Sequence, residues 1–365
     1  MSGNTYYGDY LALAQLLNAQ QPRSDELGRP AHDELLFIIT HQVYELWFKQ
    51  ILHELDSVLV ILQQPYVKDT ELSTAVARLE RVIEIQKLLI AQIEIMETMT
   101  PLDFLEFREL LSPASGFQSF QFRLIENRLG LPAERRLKYN QSHYAQSLSQ
   151  AHRELILASE TQPTLFEVIE RWLERIPLLR FGDFDFWQSY SAAVAAMFAQ
   201  DRERVQLNEL LSEKDVAYRL RQLEATEASF ATLFDPEAYA QLHGEGKRRL
   251  SYKATQAALL ILLYRERPIL QMPYRLLTSL ITMDEQLNTW RYRHALMVQH
   301  MIGSKQGTGG SLGYDYLIQT LDAHRIFNDL IQLTTFLIPR SALPQLPAEI
   351  DRQLGFAYQG TPEAK

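Results

Sequence analysis

The chain contains no cysteine. That absence excludes disulfides, thiolate nucleophiles, zinc ribbons, iron–sulfur clusters and a thiolate-ligated haem. Any metal must be held by His, carboxylate, Tyr or Met. Long apolar runs are missing as well: stretches such as ALLILLY (258–264) are far too short to span a bilayer. The N-terminal MSGNTYYGDY has neither the basic start nor the apolar core of a secretory signal, so the expected location is the cytoplasm. Basic residues are also short: 36 Lys and Arg against 45 Asp and Glu give a net charge of −9. This argues against nucleic acid and against an anionic membrane surface, both of which need a clustered basic footprint. What remains is a soluble globular composition, 46% hydrophobic and 22% charged over 365 residues, with ample length for a substantial core.

Alternation with period two is scarce, and Asn-Gly or Asp-Gly hairpin turns are absent. Helical periodicity dominates instead, and the class is all-α. A short amphipathic start around Tyr10–Ala19 precedes a polar, proline-bounded link, QQPRSDELGRP. Long helices are expected over about 31–62 and 71–97. Thr100-Pro101 reads as an N-cap followed by proline at the first helical position, with Asp103 in the first turn; that short helix ends at Ser112-Pro113. Further helices are expected over 117–129, 142–159, 164–174, 184–232, 236–243, 248–265 and 273–302. We read 1–365 as a single helical domain whose core comes from both ends, with 131–245 a helical appendage and 341–365 a surface tail.

Two histidines interrupt apolar helix faces. In HDELLFIITHQVYELWFKQILHEL (32–55), His41 shares a face with Phe37, Tyr44, Glu45 and Phe48. In LNTWRYRHALMVQHMIG, His294 shares a stripe with Leu287, Trp290, Met297, Val298 and Met301, while Arg291 and Arg293 are expected to splay to other faces. Each imidazole is either satisfied inside a core or points into a cavity that something else fills. Two of them on separate helices would suit a flat apolar cofactor with an axial metal, and haem is the candidate that needs no cysteine. Zinc-protease and di-iron spacings fail, since Ser57 stands where a second histidine would follow His53-Glu54 and no glutamate precedes His41, His53 or His294 by three.

TPLDFLEFRELLSPASGF places Phe104 and Arg108 one turn apart, an aromatic beside a guanidinium fork that suits a carboxylate. It equally suits an arginine lying over apolar neighbours. GSKQGTGGSLGYDY packs five of the fifteen glycines into eleven residues from Gly303. Phosphate-loop and dinucleotide fingerprints both fail there, which leaves a helix stop and a loop that can close over a ligand and present Thr308.

Together YGDYLALAQLLNAQ (7–20), PAHDELLFIITHQVYELWFKQILHELDSV (30–58), LDFLEFRELLSPASGFQSFQFRLIENRLG (102–130) and WRYRHALMVQHMIGSKQGTGG (290–310) resemble the tryptophan 2,3-dioxygenase family over most of the chain. The resemblance implies a helical haem-dioxygenase fold carrying haem b, ferrous when active, and a reaction in which L-tryptophan and O2 give N-formyl-L-kynurenine, the first step of the kynurenine pathway. It places His294 at the proximal haem ligand and His41 at the distal histidine that meets the indole N–H. Phe37 matches the aromatic packed on the indole, Arg108 the arginine gripping the substrate carboxylate, and Phe104 the aromatic one turn earlier. Thr308 matches the threonine at the substrate's backbone end; Ser115 and Gly116 match the loop on the distal side of the haem. Tyr7 and Tyr10 match tyrosines that reach into a neighbouring subunit, which implies a homotetramer built as a dimer of dimers. The family's loop usually continues GTGGSSGYHY, whereas this chain has Leu312 and Asp315, a departure that bears on loop closure and substrate scope. A sibling haem enzyme acting on a modified indole or another aromatic amino acid, with insertion of one or both oxygen atoms, or a haem-binding sensor or helical scaffold without turnover, would share much of this pattern.

Overall fold

The computed structural model describes residues 5–136, 146, 148–176, 180–181, 184–305 and 314–355. Among them the only strands are a two-residue antiparallel pair, β1 (Arg180–Phe181) and β2 (Phe184–Asp185); the rest of the regular structure is helical. The N-terminal segment forms three single turns, α1 (Tyr7–Tyr10), α2 (Leu13–Leu16) and α3 (Arg23–Glu26). Two long helices follow, α4 (Glu34–Leu62) and α5 (Asp69–Met96), then α6 (Pro101–Phe107) and α7 (Phe120–Leu129). The middle of the chain carries α8 (Gln150–Glu160), α9 (Leu165–Glu174), α10 (Phe186–Gln206), α11 (Glu213–Phe234), α12 (Pro236–Gly244) and α13 (Tyr252–Leu263). The 35-residue α14 (Pro268–Ile302) precedes α15 (Tyr314–Ala323), α16 (Asn328–Gln332) and α17 (Ala348–Leu354).

Three sequence expectations change. The helix foreseen over 184–232 is broken after Gln206, and α11 starts afresh at a capping box in which Ser212 Oγ accepts from the Asp215 amide while the Asp215 carboxylate accepts from the Ser212 amide. The helix foreseen from residue 273 begins five residues earlier, at Pro268, and runs through Pro273. A proline that close to a helix start removes one hydrogen bond, to the carbonyl of half-exposed Ile269, without ending the helix. The chain beyond Pro339, expected on the surface, buries Ile350 and Leu354 one turn apart on α17, and Asp351 pairs with Arg267 at 2.7 Å.

Contacts group the chain into two compact units. The first comprises Met1–Leu59, Arg78–Leu165 and Thr282–Ile326. Its core is made by Phe48, Ile51 and Leu55 of α4, Val82 and Leu89 of α5, Ile125 and Leu129 of α7, and Met283 and Leu287 of α14, all buried. Polar ties fix the helices at this depth: the Gln86 side chain donates to the Met283 carbonyl at 3.1 Å, and Gln92 donates to the Thr40 carbonyl at 3.0 Å. The buried Glu34 accepts from the amides of Arg23 and Ser24 at 2.8 and 2.9 Å, pinning α3 to the start of α4.

The second unit comprises Val60–Ala77, Phe166–Ile281 and Phe327–Lys365. Its buried tyrosines each satisfy a carbonyl: Tyr190 donates to Phe336, and Tyr239 to Leu250 at 2.8 Å. Asp329 accepts from the amides of Arg249 and Leu250 at 2.6 and 2.9 Å, and the Arg249 guanidinium lies 3.8 Å over the Phe166 ring.

Candidate active site

The first unit encloses a cavity of about 300 Å³ whose lining is mostly aromatic and aliphatic. The face read from α4 lines it in full: Phe37, His41, Tyr44, Glu45 and Phe48. So does most of the α14 stripe, with Trp290, His294, Met297, Val298 and Met301. The two interrupting histidines therefore share one cavity.

His41 lies deep among protein atoms yet keeps accessible surface, because the surface it offers is cavity wall. Its Nδ1 is 2.7 Å from the Phe37 carbonyl one turn earlier. A carbonyl oxygen only accepts, so Nδ1 carries the proton, and in the neutral ring Nε2 holds a free lone pair. Burial lowers the pKa of His41, only partly offset by that carbonyl and by Glu45, and the ring is neutral near pH 7. The Phe37 ring lies 4.1 Å from the imidazole between centroids, with Phe104 and Phe107 at 5.9 and 5.7 Å behind it.

Phe104 and Arg108 come from α6 and the 3-10 turn that continues it, Arg108–Leu111. The predicted cap is present: Thr100 Oγ1 accepts from the Asp103 amide at 3.3 Å, Asp103 returns the bond to the Thr100 amide at 3.1 Å, and Pro101 opens the helix. Both side chains reach the cavity wall. Ser115 and Gly116 also line it, at a 3-10 turn where Ser115 Oγ accepts from the Phe117 amide. A Cβ added at Gly116 would meet no atom within 4 Å, so no clash with the chain itself requires the glycine there.

His294 presents the complementary chemistry. Its Nδ1 is buried without a hydrogen-bond partner, which leaves Nε2 as the nitrogen available to the cavity. Burial pushes its pKa down to about 4, with the neighbouring His41 adding to the fall, so the ring is a neutral donor across the physiological range. A single neutral imidazole, an apolar slot and a bare glycine edge fit a haem with one protein ligand.

Sequence reasoning missed the polar wall. Glu126, fully buried on α7, holds Arg123, Arg136 and Arg291 at 3.0, 3.1 and 2.9 Å, with His324 at 3.4 Å. Glu126, Arg123, Arg291 and His324 all line the cavity. Arg291, expected to turn away from the stripe, is buried against Glu126, whereas Arg293 turns outward to Glu97 at 3.2 Å. The missed signal was the pair of opposite charges in FRLIEN, Arg123 and Glu126 at i, i+3 on one face of α7. Tyr7 and Tyr10 do not join the cavity; they stand 70% and 77% exposed on α1. Thr308 and Leu312 lie outside the described residues. Gly303, at φ +58°, ends α14 as expected, its amide donating to the Gln299 carbonyl at 2.8 Å.

A family profile for tryptophan 2,3-dioxygenase matches residues 1–337. A tryptophan 2,3-dioxygenase of Bdellovibrio bacteriovorus is 54% identical over 353 residues, covering 97% of this chain and 98% of the relative. Those of Dictyostelium discoideum and Xenopus laevis are 48% and 46% identical over 354 residues, covering 97% and 96% of this chain and 88% and 87% of the relatives. A match that nearly spans both chains, joined to a cavity with an imidazole from each of two helices, places the chain in the tryptophan 2,3-dioxygenase family.

Proposed function

We propose that the cavity holds one haem b on His294, ferrous in the active form, and that L-tryptophan sits with its indole against Phe37 and His41 and its carboxylate on Arg108. The reaction is that of the family: the indole C2–C3 bond of L-tryptophan is cleaved with O2 to N-formyl-L-kynurenine, both oxygen atoms entering the product. The observation that carries the assignment of roles is the 2.7 Å contact of His41 Nδ1 with the Phe37 carbonyl, which leaves the lone pair on Nε2 of a residue lining the same cavity as His294.

Bound haem supplies the iron that activates dioxygen. The chain's own task is positioning. His41 Nε2 accepts the indole N–H and so selects an unsubstituted ring nitrogen. Because burial keeps the imidazole neutral, it orients the substrate without first losing a proton. The Phe37–Phe104–Phe107 wall confines the ring, and the Arg108 fork fixes the amino-acid end through two charge-assisted hydrogen bonds. Thr308 completes that grip. On the polar wall, Arg123 and Arg291 would suit the carboxylates of the haem, and Ser115 and Gly116 would line its pocket. The exposure of Tyr7 and Tyr10 supports their service to a neighbouring subunit in a homotetramer. Among the described residues no helix is long and apolar enough to cross a membrane; we assign the enzyme to the cytoplasm.

The test is direct. Purified protein should show a Soret band, and after reduction it should convert L-tryptophan in air to a product with the absorption of N-formylkynurenine. Haem-loaded, reduced protein that leaves tryptophan unchanged would reject the proposal.

A further inference from the structure

An axial histidine is ordinarily oriented through its second nitrogen, whose N–H is held by a carboxylate or carbonyl. In this chain Nδ1 of His294 is buried, and among the described residues no such group holds it. The torsion that rotates an imidazole is broad, so an unheld ring takes its angle from whatever packs against it. What packs against it is an indole. Trp290, one turn earlier on α14, lies 5.3 Å away between ring centroids and only 9° from parallel.

The indole is itself wedged from two other helices. Phe122 of α7 lies 5.2 Å from it, tilted by 39°. Tyr44 and Phe48 of α4 meet it edge-on at 6.0 and 6.5 Å. Tyr44 is tied down in turn, its hydroxyl donating to the Leu89 carbonyl at 2.8 Å, and Phe48 is buried in the core. The plane of Trp290 is thus set by three side chains, and the plane of His294 follows it.

We propose that Trp290 is a positioning residue of the reaction: it sets the rotation of the His294 imidazole and thereby the orientation in which that ring meets the haem iron. The inference rests on His294 being the axial ligand. Orientation of the imidazole plane governs its overlap with the iron orbitals, so a freed ring should sample several angles and broaden every signal that reads the iron–histidine bond.

The test uses the ferrous holoenzyme and resonance Raman detection of the iron–histidine stretching band, with haem content measured in parallel. The native protein should give one narrow band. Trp290→Leu should retain haem but give a shifted, broadened band and a lowered kcat with KM little changed. Trp290→Phe, which restores a flat ring, should recover most of the narrow band. Trp290→Met, a filler without a plane, stands in if the leucine variant does not fold. A leucine or methionine variant whose band matches the native one in frequency and width overturns the proposal, as does a phenylalanine variant no narrower than these. His294→Ala separates the two readings: haem and an iron–histidine band retained in that variant would refute the axial assignment itself, whatever the Trp290 series shows.

Discussion

At the scale of single residues, the proposed function divides the labour between His41 and Arg108, and each half makes its own prediction. If Arg108 reads the carboxylate as proposed, Arg108→Ala should keep haem and lose about 1.5–3 kcal/mol of transition-state binding, roughly ten- to a hundred-fold in kcat/KM for tryptophan. Tryptamine, which lacks the carboxylate, should lose far less. Equal losses for the two substrates would show that the arginine reads something else. With His41 in its proposed role at the indole nitrogen, His41→Ala should retain haem and measurable turnover. Its loss should fall on tryptophan more than on 1-methyltryptophan, which offers no N–H to the Nε2 lone pair, so the ratio of efficiencies should shrink. A core histidine would behave differently: its removal would leave a cavity and a lower melting temperature while the ratio stayed put.

Elements decide whether those residues arrive at the wall together. The reach of Arg108 depends on the α6 start, where Thr100 and Asp103 exchange hydrogen bonds and fix the register of the turn that carries Phe104. Thr100→Ala should cost about 1 kcal/mol in global stability and raise KM for tryptophan without changing haem content; an unaltered KM would detach the cap from the site. This start was legible as Thr-Pro-x-Asp, because capping and proline placement are local rules. The same rule, written as Ser212-x-x-Asp215, lay unread inside 184–232, where continuous apolar spacing on both sides masked the break. The faces of His41 and His294 were legible because period and helix length are local too. The Glu126 wall was not. Arg123, Arg136, Arg291 and His324 come from segments spread over some two hundred residues, and only the packed chain shows that one carboxylate collects them. Tertiary charge pairing has no sequence period to betray it.

For the molecule as a whole, that buried carboxylate couples the site to stability and to pH. Burial alone would raise the Glu126 pKa, but Arg136, Arg123, His324 and Arg291 together hold it well below the ordinary value of 4.5. Removing it strips three guanidinium groups of their shared partner, so Glu126→Ala should cost about 3–5 kcal/mol, a large part of the total for a domain of this kind. The pH dependence follows from the same groups. Burial lowers His41, His294 and His324 below 6.5, so between that value and their folded values the unfolded chain binds more protons than the folded one. Folded stability must therefore fall as pH drops below 6.5, for His294 down to about 4. Glu126 adds the same sign of effect below 4.5, since its depressed pKa contributes stability only while the unfolded carboxylate would also be charged. Melting curves of the haem-free protein, in which iron does not occupy His294, should show a melting temperature that declines from pH 6.5 and steepens below 4.5. In Glu126→Gln the lower, steeper portion should flatten while the histidine portion persists. A melting temperature constant between pH 6.5 and 4.5 would mean that these imidazoles titrate alike in the folded and unfolded chain, and that the cavity does not hold them neutral.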